Sequence, residues 1–342
     1  MQTVLLLFGG ESTEHDVSMI SARNVAKVID PAKFHVLYGY IDQHGLWWQV
    51  DSVTHISGDD ARQILPILGT KVFAVYGTEE VICPDVILPI LHGRHGEDGS
   101  VQALAQLMHL PIVGCDMTAS AAAMNKYITK EIAMANDIVI APFMVHRRAD
   151  KVPDYTSVAS ALGDQLFVKP ASAGSSVGVS KVSNRQQLEA ALIGAHVHDD
   201  MVLVERAIVG RELEVAVLGN YPDVQVSVVG EIRAQGEFYS YESKYDDTST
   251  SQVIIPADIA PEVSNQLREQ AVMIFYALGC SGMARVDFFV ENDTQQIYLN
   301  EVNTIPGFTD ISMYPKLWKH AGMSYGQLVE RLIELALSKT TV

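Results

Sequence analysis

The stretch ARVDFFVENDTQQIYLNEVNT, residues 284–304, sets a carboxylate in the middle of each of two apolar segments. RVDFFV and IYLNEVN read as strands joined by the polar turn ENDTQ. Side chains alternate faces along a strand, so Arg285 and Asp287 share one face of the first strand, and Glu301 and Asn303 one face of the second. Two chemistries compete here. An antiparallel sheet often keeps one solvated face, on which polar residues alternate with apolar ones. Alternatively, Asp287, Glu301 and the amide oxygen of Asn303 suit Mg²⁺, which takes few protein oxygens and fills its shell with water and substrate phosphates.

Three further constellations carry chemistry. FVKPASAGSSVGVSKV, residues 167–182, sets Lys169 before a run of small residues. It reads either as a plain hairpin turn or as a loop that lays backbone N–H groups around phosphate oxygens. It is not a P-loop, and no GxGxxG accompanies the N-terminal Gly pair, so a hydride-transferring dinucleotide enzyme is poorly supported. VERAIVGRELEVAVLG, residues 204–219, carries Glu205 and Glu212 on either side of an apolar turn. They are two surface glutamates, or one meets the amino edge of adenine and the other ribose hydroxyls. LHGRHGEDGSVQ, residues 91–102, crowds His92, Arg94, His95, Glu97 and Asp98 into a Gly-punctuated loop after the apolar strand DVILPI. FGGESTEHD follows another such strand, and in open α/β sheets ligands bind at the carboxyl ends of strands. The two loops are expected to meet over one pocket, unless both are ordinary turns.

These residues need elements to hold them. TVLLLFGG, FHVLYGYID and DVILPILHG read as strands, with an amphipathic helix between the first two, and the order β, α, β implies a parallel sheet. A second unit begins near Gly114. In it, SAAAMNKYITKEIAMAND reads as one helix, APFMVHRR as a strand, residues 165–182 as a hairpin and QQLEAALIGA as a helix; MVLVERAIVGRELEVAVLG is a pair of strands. A third unit holds QVSVVGEIR, the helix PEVSNQLREQAVMIFYALG, the carboxylate hairpin and a final helix, SYGQLVERLIELALSK. The polar segment 236–252 contains one Phe and three Tyr. A long irregular connection of this kind is a lid or a disordered stretch, and the aromatics favour a lid.

Totals bound the function. The 342 residues suffice for two or three domains, and 48% hydrophobic with 19% charged residues is ordinary for a globular protein. A net charge of −17 argues against a nucleic-acid partner, whose binding needs clustered Lys and Arg. Cys83, Cys115 and Cys280 are far apart in sequence and show neither a disulfide framework nor zinc spacing. The start lacks a basic segment and a full apolar core of a signal peptide, and no apolar run is long enough to span a membrane. A cytoplasmic protein without membrane partners is expected.

Taken together, FGGESTEHDVS, LHGRHGEDGSVQ, AAMNKYITK, FVKPASAGSSVGVSKV, VERAIVGRELEVAVLG, FYSYESKY, GMARVDFFV and NEVNTIPGFTDISMYPKLW resemble the D-alanine–D-alanine ligases of the ATP-grasp superfamily. The match runs in order from residue 4 to about residue 336. The resemblance implies an α/β, three-domain ATP-grasp fold: an N-terminal parallel-sheet domain over 1–114, a central subdomain over 115–209, and a C-terminal subdomain over 210–342 carrying the lid. It implies ATP-dependent formation of D-alanyl-D-alanine for peptidoglycan through a D-alanyl phosphate. Asp287, Glu301 and Asn303 match the ligands of two Mg²⁺ ions, with Mn²⁺ as an alternative. Lys126 and Lys169 match the lysines on the α- and β-phosphates, and Lys244 the one on the γ-phosphate. Glu205 matches the adenine contact and Glu212 the ribose contact; the backbone around Arg206 and Ile208 frames the base, and Phe238 packs on it. Arg285 and the N–H of Gly307 match the donors that stabilise the tetrahedral oxyanion. Glu14 matches the holder of the first D-alanine's ammonium, with His92 near its carboxylate; Ser175 and Tyr245 join Glu14 in closing the lid. Ser312 matches the holder of the second D-alanine's carboxylate, with Met313 near its methyl. A homodimer is also implied.

Three positions depart from the pattern: Asn125 stands where the family has an acid, Ala173 where a larger polar residue is common, and Arg206 where Lys is common. None removes a ligand. Relatives that make D-alanyl-D-lactate lack the lid tyrosine, so Tyr245 predicts the dipeptide product. Three other readings remain at this stage: an ATP-grasp enzyme joining a different carboxylate and amine, an inactive nucleotide sensor, and a plain binding module of Rossmann type.

Overall fold

The computed structural model describes residues 1–56, 60–233 and 252–339. The expected lid, with Phe238, Lys244 and Tyr245, lies outside the described residues except for Gln252 at its end.

Strand β1 (Gln2–Gly9) leads into helix α1 (His15–Val28), which returns the chain to β2 (Phe34–Ile41). Four short strands follow: β3 (Trp47–Val50), β4 (Arg62–Ile67), β5 (Val72–Val75) and β6 (Val81–Ile82). Then β7 (Val86–Ile90) enters beside β1. These seven strands form one sheet in the order β6-β5-β4-β3-β2-β1-β7. As expected, β1 runs parallel to β2 and to β7. Strands β3 to β6 extend the sheet antiparallel from β2, an addition that the sequence reading did not foresee. Val4 to Phe8 are fully buried because a central parallel strand is covered on both faces.

Helix α2 (Ser100–Leu107) precedes a break in what reads as one helix: α3 (Met117–Met124) and α4 (Lys126–Ala135) are separated at Asn125. Asn125 has extended backbone, and its side-chain oxygen accepts from the N–H of Ile128, capping α4. Antiparallel strands β8 (Phe143–Arg147), β9 (Leu166–Pro170), β10 (Ser180–Val182) and β11 (Met201–Arg206) make a second sheet in the order β10-β9-β11-β8. Helices α5 (Tyr155–Leu162) and α6 (Arg185–Ala195) supply apolar side chains to the core beneath it.

The third sheet has the order β14-β13-β12-β15-β16, all antiparallel. It is built from β12 (Gly210–Asn220), β13 (Asp223–Arg233), β14 (Gln252–Ile254), β15 (Gly282–Glu291) and β16 (Ile297–Asn303). The adjacent β11 and β12 thus belong to different sheets. Helix α7 (Pro261–Ala277), with Pro at its first position where no N–H is needed, packs Leu267, Ile274 and Phe275 in the same core as Leu213, Val215, Val286 and Phe288. Helices α8 (Met313–His320) and α9 (Tyr325–Leu337) close the chain, α9 starting on a reciprocal cap between Ser324 and Gln327. Their apolar faces join Phe8, Leu88, Val25 and Leu218 in a core shared by the first sheet and the third.

Candidate active site

Alternation sets up the site. On β12, Leu213 and Val215 point into the α7 core, so Glu212 and Glu214 face the other way. In the sheet register Glu214 lies opposite Asp287, Asp287 opposite Glu301, and Arg285 opposite Asn303. One sheet face therefore carries a row of charged and amide side chains. Arg285 donates from Nε and Nη2 to the two Asp287 oxygens at 2.8 and 2.7 Å, and its Nε lies 3.1 Å from Glu214. Asn303 Nδ2 donates to Asp287 at 2.9 Å. Burial pulls the Arg285 guanidinium down, but Asp287 and Glu214 more than offset that and hold it well above its ordinary value. The hairpin is not a solvated face: Asp287 is 2% exposed.

Two cavities open over this row. The larger, about 640 Å³, is lined by Lys126, Lys169, Glu205, Arg206, Ile208 and Glu212 among others. The smaller, about 460 Å³, is lined by Glu14, His92, Arg285, Asn303, Gly307, Ser312 and Met313 among others. Lys126, Ser175 and Glu301 line both, so the two cavities adjoin there.

The larger cavity lies between the second and third sheets. Lys126, the first residue of α4, donates to the carbonyl of Ala173 at 2.7 Å and lies 3.9 Å from Glu301. Ala173 belongs to the small-residue loop between β9 and β10, in which Ser175 and Ser176 adopt left-handed backbone with φ of 49° and 60°. Asn125 also ties the loop, donating to Ser172 at 3.0 Å. Its departure from an acid thus keeps the helix cap, and the bond to Ser172 is one that the amide donates. Lys169 lies 2.7 Å from Glu205 on the neighbouring strand. The side chain of Arg206 is turned to Glu291 and Tyr298, at 2.9 and 2.7 Å.

The smaller cavity lies at the carboxyl ends of β1 and β7, where the two expected loops meet. Ser12 donates to the carbonyl of His92 at 2.6 Å, and Glu11 pairs with His95 at 2.8 Å. Glu14, 6% exposed, accepts from Ser175 of the small-residue loop, so the first and second sheets touch through this bond. Gly93 has left-handed backbone, with φ of 72°, which favours glycine, and a Cβ there would come within 2.7 Å of the Glu14 carboxylate. Burial lowers the His92 imidazole, partly opposed by the Glu14 charge. On the far wall, Ser312 accepts from the Thr309 N–H at 3.0 Å, and a Cβ on Gly307 would meet its oxygen at 2.6 Å. Met313 is buried over Gly230.

Three functional candidates escaped the sequence reading. Lys130, one helical turn after Lys126, lines the larger cavity with its side chain 2% exposed. Period 3.6 would have found it, since residues four apart share a helix face. Glu214 pairs with Arg285 from the next strand, which only the register discloses. Glu97, noted in its loop without a role, lines the smaller cavity and accepts from the Gly93 N–H at 2.8 Å. Burial, then the nearby Glu14 charge, pushes its carboxyl up to about 8.

Among the described residues no group of three or more His, Cys, Asp and Glu is placed to hold a metal ion. The acidic part of the expected set is the cross-strand pair Asp287 and Glu301. Among the described residues, too, no helix is long and apolar enough to cross a membrane.

Residues 3–115 match the family model for the D-ala D-ala ligase N-terminus, and residues 132–334 that for the D-ala D-ala ligase C-terminus. The chain belongs to the D-alanine–D-alanine ligase family. It is 44% identical to D-alanine--D-alanine ligase A of Escherichia coli strain K12, covering 98% of this chain and 95% of that protein. It is 43% identical to the D-alanine--D-alanine ligase of Chlorobaculum tepidum, covering 100% and 98%. Among solved structures, the D-alanine-D-alanine ligase from Coxiella burnetii superposes with a TM-score of 0.86 at 34% identity, covering 98% of this chain and 95% of that one. The VanG D-Ala:D-Ser ligase from Enterococcus faecalis gives 0.89 at 34% identity, covering 98% and 99%. The family is that of the sequence resemblance, and its structures share the mixed α/β architecture built here on one parallel-containing and two antiparallel sheets.

Proposed function

We propose that this protein joins two D-alanines into D-alanyl-D-alanine, cleaving ATP to ADP and phosphate, and so supplies a peptidoglycan precursor. ATP use and ligase activity follow from the family. The observation that carries the assignment of subsites is the junction of the two cavities at Lys126, Ser175 and Glu301. The larger space, with Lys126 and Lys169, suits a nucleotide whose phosphates run toward the junction. The smaller space, with Glu14 at one end and Arg285, Gly307 and Ser312 at the other, suits two amino acids.

In this reading Glu14 holds the ammonium of the first D-alanine, with His92 near its carboxylate. That carboxylate is thereby aimed at the γ-phosphate, and takes the γ-phosphoryl group to become an acyl phosphate as ADP leaves. Ser312 holds the carboxylate of the second D-alanine, Met313 packs near its methyl, and its amine, having lost a proton, attacks the acyl carbonyl, from which phosphate then leaves as the amide forms. Arg285 and the Gly307 N–H donate to the oxyanion, a kind of preorganised stabilisation often worth ~3 kcal/mol. Glu205 and the backbone near Arg206 and Ile208 receive the adenine, and Glu212 the ribose. The carboxylate and amide oxygens of Asp287, Glu301 and Asn303 fit a hard cation such as Mg²⁺ or Mn²⁺. Two such ions would offset charge on the transferring phosphoryl group. Phe238, Lys244 and Tyr245 complete the reading from the lid segment. The same reading carries three domains, 1–114, 115–209 and 210–342, and a cytoplasmic homodimer.

The test is phosphate release with ATP and Mg²⁺, comparing D-alanine, L-alanine, D-serine, and D-alanine with D-lactate, and identifying the product by mass. Release that needs only D-alanine and yields the dipeptide is expected. A mixed D-alanyl-D-serine product in preference, or release independent of D-alanine, would overturn the assignment.

A further inference from the structure

Lys130 stands apart from the other lysines of the larger cavity. Its side chain is 2% exposed, its Nζ lies 3.2 Å from Oε1 of Glu205, and the same Nζ sits 5.4 Å from the centroid of the Phe143 ring. The other carboxylate oxygen, Oε2, is 2.7 Å from Lys169. One buried anion is therefore shared by two buried cations carried on different elements, α4 and β9. Burial pushes the Glu205 carboxyl up, but Lys169 and Lys130 more than offset this and hold it below the usual carboxylate range.

The two cations are not equivalent. Lys169 lies on the strand that leads into the small-residue loop, whereas Lys130 is pinned between Glu205 and the face of Phe143. A lysine whose charge is spent on an adjacent carboxylate attracts a polyphosphate weakly, because the carboxylate repels what the ammonium attracts. A second cation on the same carboxylate removes that penalty. Equally, an unpaired carboxylate in a buried site is strongly unfavourable, so Glu205 cannot release Lys169 unless another cation remains on it.

We propose that Lys130 is a positioning residue for the nucleotide. It neutralises and orients Glu205, leaving the charge of Lys169 available to the phosphates. The inference rests on the nucleotide reading of this cavity. Lys130 acts through Glu205, so its effect must depend on Glu205 being charged.

A double-mutant cycle tests this by calorimetric titration of ADP with Mg²⁺ into wild-type, K130M, E205Q and K130M/E205Q proteins, each checked for folding by ligand-free thermal unfolding. K130M, whose methionine keeps the apolar stem against Phe143, is expected to weaken ADP about tenfold, or ~1.4 kcal/mol. In the E205Q background the same change should matter by less than about twofold. K130R should recover most of the affinity, and the KM for D-alanine should stay within about twofold in K130M. An equal loss in both backgrounds, or no loss in the wild-type background, overturns the proposal. Should K130M alone fail to fold, E205Q against K130M/E205Q still reads the key difference, and a tenfold gap there overturns it. A wild-type protein that binds no ADP would instead overturn the nucleotide reading itself.

Discussion

Arg285 concentrates the chemistry of the residue scale. One guanidinium serves Asp287 through two hydrogen bonds and Glu214 through a 3.1 Å contact, and the reading above asks it to donate to an oxyanion as well. R285M would leave two buried carboxylates without their cation, which typically costs about 3–5 kcal/mol. It would also remove an oxyanion donor, a loss of roughly 10²–10³ in kcat. R285K separates the two effects, since Lys restores the charge but not the planar fork. Ligand-free thermal unfolding should show R285K recovering much of the stability lost in R285M, while kcat stays low. Recovery of kcat alongside stability would mean that charge alone suffices there. At this scale the sequence was legible where both partners sit within one alternating strand, as Arg285 and Asp287 do. It was silent on partners that come from another element: the pairing of β12 with β15 brings Glu214 to Arg285, and although helical spacing puts Lys130 on the face of Lys126, only the fold brings it to Glu205.

Elements decide where those residues point. Asn125 ends α3 and caps α4, so Lys126 stands at the first turn of a helix, aimed across its N-terminus at the small-residue loop. The alanine-rich stretch reads as one helix because nothing in its composition marks a break; Asn125 becomes a cap only because the chain turns there to reach that loop. N125A should cost about 1 kcal/mol, the usual worth of an N-cap, and should raise the KM for ATP by loosening Lys126. N125D should leave both unchanged, because an aspartate accepts the same bond from Ile128. A marked loss in N125D would mean that the amide's donation to Ser172, which Asp cannot make, is the contact that matters. The strands β3 to β6 were missed for a related reason. Each has six residues or fewer, and their short runs carry too little alternation to stand out from turns.

At the scale of the whole molecule, the β, α, β start and the strands that carry the site were readable, but the packing of the sheets on one another was not, because it depends on contacts between residues hundreds of positions apart. Phe8 and Leu88 of the first sheet, Leu218 of the third, and Leu317, Trp318 and Leu332 of the last two helices share one core. The two walls of the smaller cavity, Glu14 on one side and Ser312 on the other, are thus held in register by apolar burial rather than by a hinge at that level. Leu317 lies fully buried one turn beyond Met313, and both press against Gly230, where even a Cβ would come within 3.1 Å of the Leu317 side chain and 2.6 Å of Met313 sulfur. L317A should therefore cost about 2–5 kcal/mol, as buried Leu→Ala changes do. Because Ser312 is the N-cap of α8, the same cavity should let the helix shift and raise the KM for D-alanine more than the KM for ATP, whose contacts lie mostly on other elements. Unfolding should remain a single transition followed by tryptophan fluorescence, which Trp318 of the shared core and Trp47 and Trp48 of the first sheet all report, and by loss of far-ultraviolet circular dichroism, which reports the whole chain. Separate transitions would mean that the core does not bind the first sheet to the third, and the shift in KM would then need another cause.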